Sequence, residues 1–404
     1  MKNSLLHTPD GVRDLYNLEC ERKLVLEERM KECLSRYGYA PIQTPTFEFF
    51  DIFSHEIGTT PSKDLYKFFD KEGNTLVLRP DITPSIARAV TKYYGEETMP
   101  IRLWYHGNTF LNNSSYQGRL KESTQIGAEL VGDDSVDADA EMIALVVEEL
   151  KKAGLKEFQV TIGHVDFLKG LLHASGLSED IAEEIKEYIY NKNFFGVEER
   201  IAPLPLPENV KNLFLCLDKI YANAEELKDV LALSEGYPLI QGALERLIAL
   251  MNLLDAYGVS DYVSIEPGMC STYRYYTGII FAGYTFGSGE PVVKGGRYDD
   301  LLPYFGKDAP SIGFAIIVDQ LMAALSRQNL EIPLREEKEL LVYDEAMRTE
   351  AIHRAQKRRQ EDAQVILMRW EPGRSKQDYE AYAAGTGCKK VTFLASSFES
   401  GSTS

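Results

Sequence analysis

The sequence predicts an α+β fold, and three observations carry that prediction. β-Rich stretches at RLWYHGNTF, IGAELVG, YVSIEPG, YYTGIIFAGYTF and EPVVKGGRYDDLLPYFG are joined by polar or glycine-containing turns, as antiparallel strands are. From Asp166 to about Val259 strand signals give way to short helical strings such as SEDIAEEIKEYIYNKN and NAEELKDVLAL around the proline-rich APLPLPENV, which reads as a helical insertion within a domain of residues 1–331. Beyond a boundary near Glu331, strand and helix alternate in a small α/β unit, 332–404.

Each element follows from local chemistry. NLECERKLVLEERMKECLSRYG, Asn17 to Gly38, spaces Leu18, Leu24, Leu26, Met30 and Leu34 as a helical stripe and stops at a glycine. YAPIQTPTFEFFDIF is extended and aromatic, and Pro41 and Pro45 there suit an edge strand or a subunit interface. TLVLRPDITPSIARAVTKYYG reads as a strand, a turn from Arg79 to Thr83, and a helix capped by Thr83 with Pro84 at its first position. A strand, a polar loop through Asn112, Asn113, Ser114 and Ser115, and a second strand follow. DDSVDADAEMIALVVEELKKAGL supplies an acidic first turn and an amphipathic helix before the strand FQVTIGHV. After the insertion, SIGFAIIVDQLMAALSRQ runs from strand or turn into helix, ELLVYDE, QVILMRWE and KKVTFLA are strands of the last unit, and SSFESGSTS is a frayed tail.

Composition limits the function. A chain of 404 residues suffices for two or three domains. It has no apolar run long enough to cross a bilayer, and Pro9 and Asp10 interrupt the amino terminus too early for a signal peptide, so a soluble, cytoplasmic protein is expected. Cys20, Cys33, Cys216, Cys270 and Cys388 are scattered and odd in number, without a CxxC pair; they read as buried thiols rather than a disulfide framework or zinc site. A net charge of −18 repels phosphate backbones, which disfavours nucleic acid as a partner. The KRR run at 357–359 reads as a solvated helix face.

LRPDITPSIAR, GRLKESTQIGAELVG, YRYYTGIIF, VKGGRYDDL and SIGFAIIVDQL, in that order and spacing, resemble the catalytic domain of histidyl-tRNA synthetase, a class II aminoacyl-tRNA synthetase. The resemblance covers most of the chain outside the insertion and implies a mixed, mainly antiparallel sheet flanked by helices. PTFEFFDIF around Pro45 resembles the first class II motif, which builds a homodimer interface, and the final unit corresponds to a truncated anticodon-binding domain. The resemblance further implies a histidine pocket made by Asp81 (where synthetases usually have Glu), Thr83, Gln125, Glu129, Tyr275 and Tyr276. An α-ammonium requires a carboxylate and neutral acceptors, which Asp81, Thr83 and Gln125 offer; an imidazole N–H requires a fixed acceptor such as Glu129 beside an aromatic wall. Gln125 and Glu129, four apart on a strand, share a face. Arg79 and Arg297 read as structural salt-bridge residues.

Three arginines that stabilise the phosphates during adenylation in the synthetases align here with Leu111, Ser271 and Gln320. Removing three converging cations is incompatible with adenylation, since each contributes several kcal/mol to such a transition state. The pattern, a retained amino-acid pocket beside a lost ATP site, resembles the family of ATP phosphoribosyltransferase regulatory subunits. That resemblance implies a non-catalytic protein without cofactor or metal, a homodimer, and a hetero-oligomer with the short-form catalytic subunit of the first step of histidine biosynthesis, with L-histidine as feedback ligand. A divergent histidyl-tRNA synthetase and a free-standing amino-acid sensor are the competing expectations.

Overall fold

A computed structural model of the chain describes residues 6–53, 60–113, 120–270, 275–334 and 338–394. Ser114, Ser115, Ser271 and the SSFESGSTS tail lie outside the described residues. The chain divides into two compact units, one of residues 1–13 and 27–331, the other of residues 14–26 with the chain from 332 onward.

Helix α1 (Asn17–Arg36) buries Leu26, Met30 and Leu34, but Leu24 is 59% exposed, so the apolar stripe is narrower than its leucines suggest. Strand β1 (Ala40–Ile42) is followed by β2 (Phe47–Phe49), β3 (Lys67–Phe69) and β4 (Thr75–Leu78), the last three forming a small antiparallel sheet in the order β2-β4-β3. Helix α2 (Thr83–Tyr93) leads to the long hairpin strands β5 (Ile101–Phe110) and β6 (Glu122–Val131). Helix α3 (Val136–Ala153) is capped by Ser135, whose hydroxyl accepts from the Ala138 N–H, and it ends at Gly154 with φ +104°. The helix is buried around most of its circumference rather than along one stripe, because strands lie on one side and the insertion on another.

Strand β7 (Phe158–His164) opens onto six helices: α4 (Val165–Ser175), α5 (Glu179–Tyr190), α6 (Phe194–Ile201), α7 (Glu208–Phe214), α8 (Lys228–Leu233) and α9 (Pro238–Ala256). Then follow β8 (Val263–Ile265), β9 (Ile279–Thr285), β10 (Val293–Arg297), α10 (Leu301–Phe305), β11 (Ser311–Ile317) and α11 (Val318–Arg327). The main sheet has eight strands in the order β1-β5-β6-β11-β10-β9-β7-β8. Every described pair from β5 to β7 is antiparallel, and the outermost pairs, β1 with β5 and β7 with β8, are parallel. The fold is therefore the mixed, mainly antiparallel α+β arrangement that the resemblance implies. Pro41 sits in edge strand β1, where its missing N–H breaks no central ladder.

In the second unit, β12 (Lys338–Tyr343), α12 (Arg348–Gln360), β13 (Gln364–Arg369), α13 (Lys376–Gly385) and β14 (Cys388–Leu394) build a parallel sheet in the order β13-β12-β14. Leu341 packs with Ala351 and Ala355 of α12, while Leu340 and Val342 pack with Tyr379 and Ala383 of α13, so alternate β12 side chains serve two cores. Lys357, Arg358 and Arg359 are exposed on α12; Arg359 turns back to donate to the Val365 carbonyl. Of the five thiols, Cys33 and Cys216 are buried and the other three only half-buried, a correction to the sequence reading. No described helix is long and apolar enough to cross a membrane.

Candidate functional site

Strand register assembles the site. Gln125 of β6 stands opposite Ile317 of β11, and Glu129 opposite Gly313. Ala315 is opposite both Gly127 of β6 and Lys294 of β10, and Gly313 is opposite Gly296. Residues two apart share a face, so Gln125, Gly127, Glu129, Gly313, Ala315, Lys294 and Gly296 all belong to one side of the sheet. On the other side, Arg297 of β10 reaches Asp139 of α3. The small residues leave space that their neighbours use. A Cβ on Gly313 would lie 1.5 Å from Glu129 Oε2, and one on Gly296 would lie 2.8 Å from the Tyr276 ring. Above them is a cavity lined by Gly313 and Ala315 and by Asp81, Thr83, Gln125, Glu129, Tyr275, Tyr276, Lys294 and Tyr298. All six residues expected to hold a ligand therefore meet at one cavity.

Glu129 lines this cavity and is 1% exposed. Thr83 Oγ1 donates to its Oε1 at 2.8 Å and the Tyr298 hydroxyl donates to its Oε2 at 2.5 Å. Burial pushes its carboxyl up to about 8, against the two hydroxyls that favour the ionised form, while nearby Asp81 adds to the rise. At neutral pH Glu129 therefore retains a proton. An oxygen that accepts one hydroxyl keeps a second lone pair, so the group can still meet a ligand N–H or, when protonated, donate to a bare ring nitrogen.

The Thr83 hydroxyl does not cap α2. Ile82 is the N-cap residue of that helix and makes no side-chain capping bond, and the Thr83 hydroxyl goes instead to the buried Glu129 carboxyl, an acceptor costly to leave unmet in the interior. Asp81 organises the turn instead: its Oδ1 accepts from the Thr83 N–H at 3.3 Å and its Oδ2 from the Tyr275 hydroxyl at 3.2 Å. Burial raises the Asp81 carboxyl, and these bonds together with the positive charge of Lys294 oppose the rise. Tyr275 meets Tyr276 edge-on, with centroids 4.9 Å apart, and Tyr298 at 5.9 Å, so three rings form the aromatic wall. Gln125 Oε1 is buried and has no hydrogen-bond partner among the described residues.

Two polar lining residues escaped the sequence reading, Lys294 and Tyr298. Their alternation in VKGGRY with Gly296 between them was the available signal, but nothing local tells which face of β10 looks into a cavity. Of the three positions aligned with adenylation arginines, Leu111 is half-buried beyond the end of β5, Gln320 is half-buried on α11, and Ser271 lies outside the described residues. Arg297 is the structural ion-pair residue expected, with Nη2 2.7 Å from Asp139 Oδ1. Arg79 is not: its guanidinium donates to the carbonyls of Asn108 at 2.8 Å and Thr44 at 2.9 Å, because β5 and the β1–β2 connection bring main-chain acceptors to it.

A second cavity adjoins the first, sharing Tyr276 and Lys294 and continuing over Ile280, Ala282 and Tyr284 of β9 to Tyr190, Met269 and Cys270.

Comparison with known proteins identifies the family. A family model described as histidyl-tRNA synthetase matches residues 11–321. The ATP phosphoribosyltransferase regulatory subunit of Acetivibrio thermocellus is 39% identical over 86% of this chain and 82% of its own, and that of Geobacillus sp. strain WCH70 is 35% identical over 98% of each. A solved structure titled as an ATP phosphoribosyltransferase regulatory subunit/histidyl-tRNA synthetase from Bacillus halodurans superposes with TM-score 0.84 at 32% identity, covering 97% of this chain and 98% of its own. Histidyl-tRNA synthetase from Nostoc sp. PCC 7120 shares the fold, with TM-score 0.81 at 19% identity, over 97% of this chain and 92% of its own. The chain belongs to the family of ATP phosphoribosyltransferase regulatory subunits, built on the histidyl-tRNA synthetase fold.

Proposed function

We propose that this chain is a non-catalytic, cytoplasmic subunit that regulates ATP phosphoribosyltransferase, pairing with a short-form catalytic subunit and binding L-histidine in the cavity over β6 and β11. The observation that carries the ligand is the convergence of Asp81, Thr83, Gln125, Glu129, Tyr275 and Tyr276 on one cavity. The α-ammonium meets Asp81 and the unsatisfied Gln125 Oε1, and the imidazole lies against the tyrosines with a ring nitrogen at Glu129. Thr83 acts chiefly through Glu129, which it holds in place. Leu111, Ser271 and Gln320 provide no charge for a triphosphate, so the site binds and does not adenylate.

A homodimer is supported by β2 and β3, where Phe47, Phe49 and Phe69 are 52%, 55% and 73% exposed on a single chain. Feedback requires histidine to favour one state of the assembly, with coupling of about 1–3 kcal/mol. The residues from 332 onward are proposed as a truncated counterpart of the anticodon-binding domain with no nucleic-acid role.

Calorimetric titration tests the reading. L-histidine is expected to bind and ATP not to bind, and the chain is expected to co-purify with a short-form catalytic subunit and restore its activity. Histidine-dependent exchange of pyrophosphate into ATP would overturn the non-catalytic role.

A further inference from the structure

A ligand that carries both an ammonium and a carboxylate needs a cation as well as anions in its pocket. Among the described residues lining the first cavity, Lys294 is the one basic side chain, set against the two carboxyls of Asp81 and Glu129. Its place follows from register. On β10 it stands between Ala315 of β11 and Ala282 of β9, two side chains short enough for the lysine stem to lie across the sheet. It lines both cavities, at the wall they share with Tyr276. Its positive charge opposes the rise that burial imposes on the Asp81 carboxyl, which lines the same cavity.

We propose that Lys294 is a specificity-determining residue that takes the carboxylate of the bound amino acid, so that the cavity selects a free amino acid over its carboxylate-less analogues. This rests on the amino-acid reading of the site. The division of labour is chemical: Asp81 and Gln125 take the ammonium, Glu129 and the tyrosines the side chain, and Lys294 the carboxylate at the mouth of the second cavity. A lysine is a mobile point charge, so it recognises the carboxylate by proximity rather than by the fixed two-point geometry of arginine.

The test is calorimetric titration of the full chain and of Lys294→Met with L-histidine and with L-histidinol, which replaces the carboxylate by a hydroxymethyl group. The wild-type chain is expected to prefer histidine; Lys294→Met is expected to weaken histidine roughly tenfold or more while leaving histidinol nearly unchanged, as loss of a charge-assisted bond predicts. Lys294→Arg is expected to retain the preference. An unchanged histidine-to-histidinol ratio in Lys294→Met overturns the role of Lys294 and leaves the amino-acid site standing. No binding of either compound to the wild-type chain overturns the amino-acid site, and the role of Lys294 with it.

Discussion

The main sheet buries a carboxyl on each of its two faces, and the protein handles them in opposite ways. Asp139, fully buried on α3, receives Arg297 at 2.7 Å and Arg246 at 2.6 Å. Glu129, on β6 across the sheet, is 1% exposed and receives hydroxyls from Thr83 and Tyr298. Burial raises both carboxyls, but at Asp139 two guanidiniums oppose it, and their field, added to burial, presses His164 down to about 4. At Glu129 no guanidinium among the described residues answers, and burial holds its carboxyl up at about 8. A carboxyl matched by cations is closed and serves the fold; one held by neutral hydroxyls retains capacity for a ligand.

The comparison breaks most visibly at Arg297. Arg297→Met leaves Asp139 with one cation in a buried site and is expected to lower unfolding free energy by about 3–5 kcal/mol in a urea titration. A loss under about 1 kcal/mol would mean that Arg246 alone balances the charge.

Glu129→Gln sharpens the other side. The folded-state value near 8 lies above the ordinary 4.5, so between these pH values the folded chain holds a proton that the unfolded chain has released. Wild-type stability from this group is complete below about pH 4.5 and is lost as pH rises to about 8. Glu129→Gln removes that dependence, so relative to wild type it should gain on the order of a few kcal/mol between pH 5 and pH 9. Parallel stability curves across that range would show that Glu129 is ionised in the folded protein.

The smallest structural effect is expected at Gln125. Its Oε1 makes no hydrogen bond among the described residues, so Gln125→Ala should shift stability by less than about 0.5 kcal/mol while weakening histidine roughly tenfold in calorimetry. Destabilisation without loss of binding would make Gln125 a packing residue.

Much of this was legible in the sequence. Alternation along TQIGAELV placed Gln125 and Glu129 on one face, glycine-containing turns announced antiparallel strands, and the acidic first turn of DDSVDADAEMIALVVEELKKAGL announced α3. The arginine that makes an ion pair could not be told from the one that does not. Arg79 and Arg297 are equally basic in sequence, and only the arrival of Thr44 and Asn108 carbonyls beside one and of Asp139 beside the other separates them. Thr83 likewise offers its hydroxyl to the helix end or to Glu129, and the choice is made by a carboxyl 46 residues away. The sequence by itself determined most of the strands and turns, because those depend on groups within a few bonds of one another; it missed the start of α2, where Thr83 makes no cap, and helix α10 within the stretch read as strand. Tertiary structure alone decided that Lys294 and Tyr298 join the cavity and that Glu129 keeps its proton, because burial and electric field are set by strands that meet across the sheet.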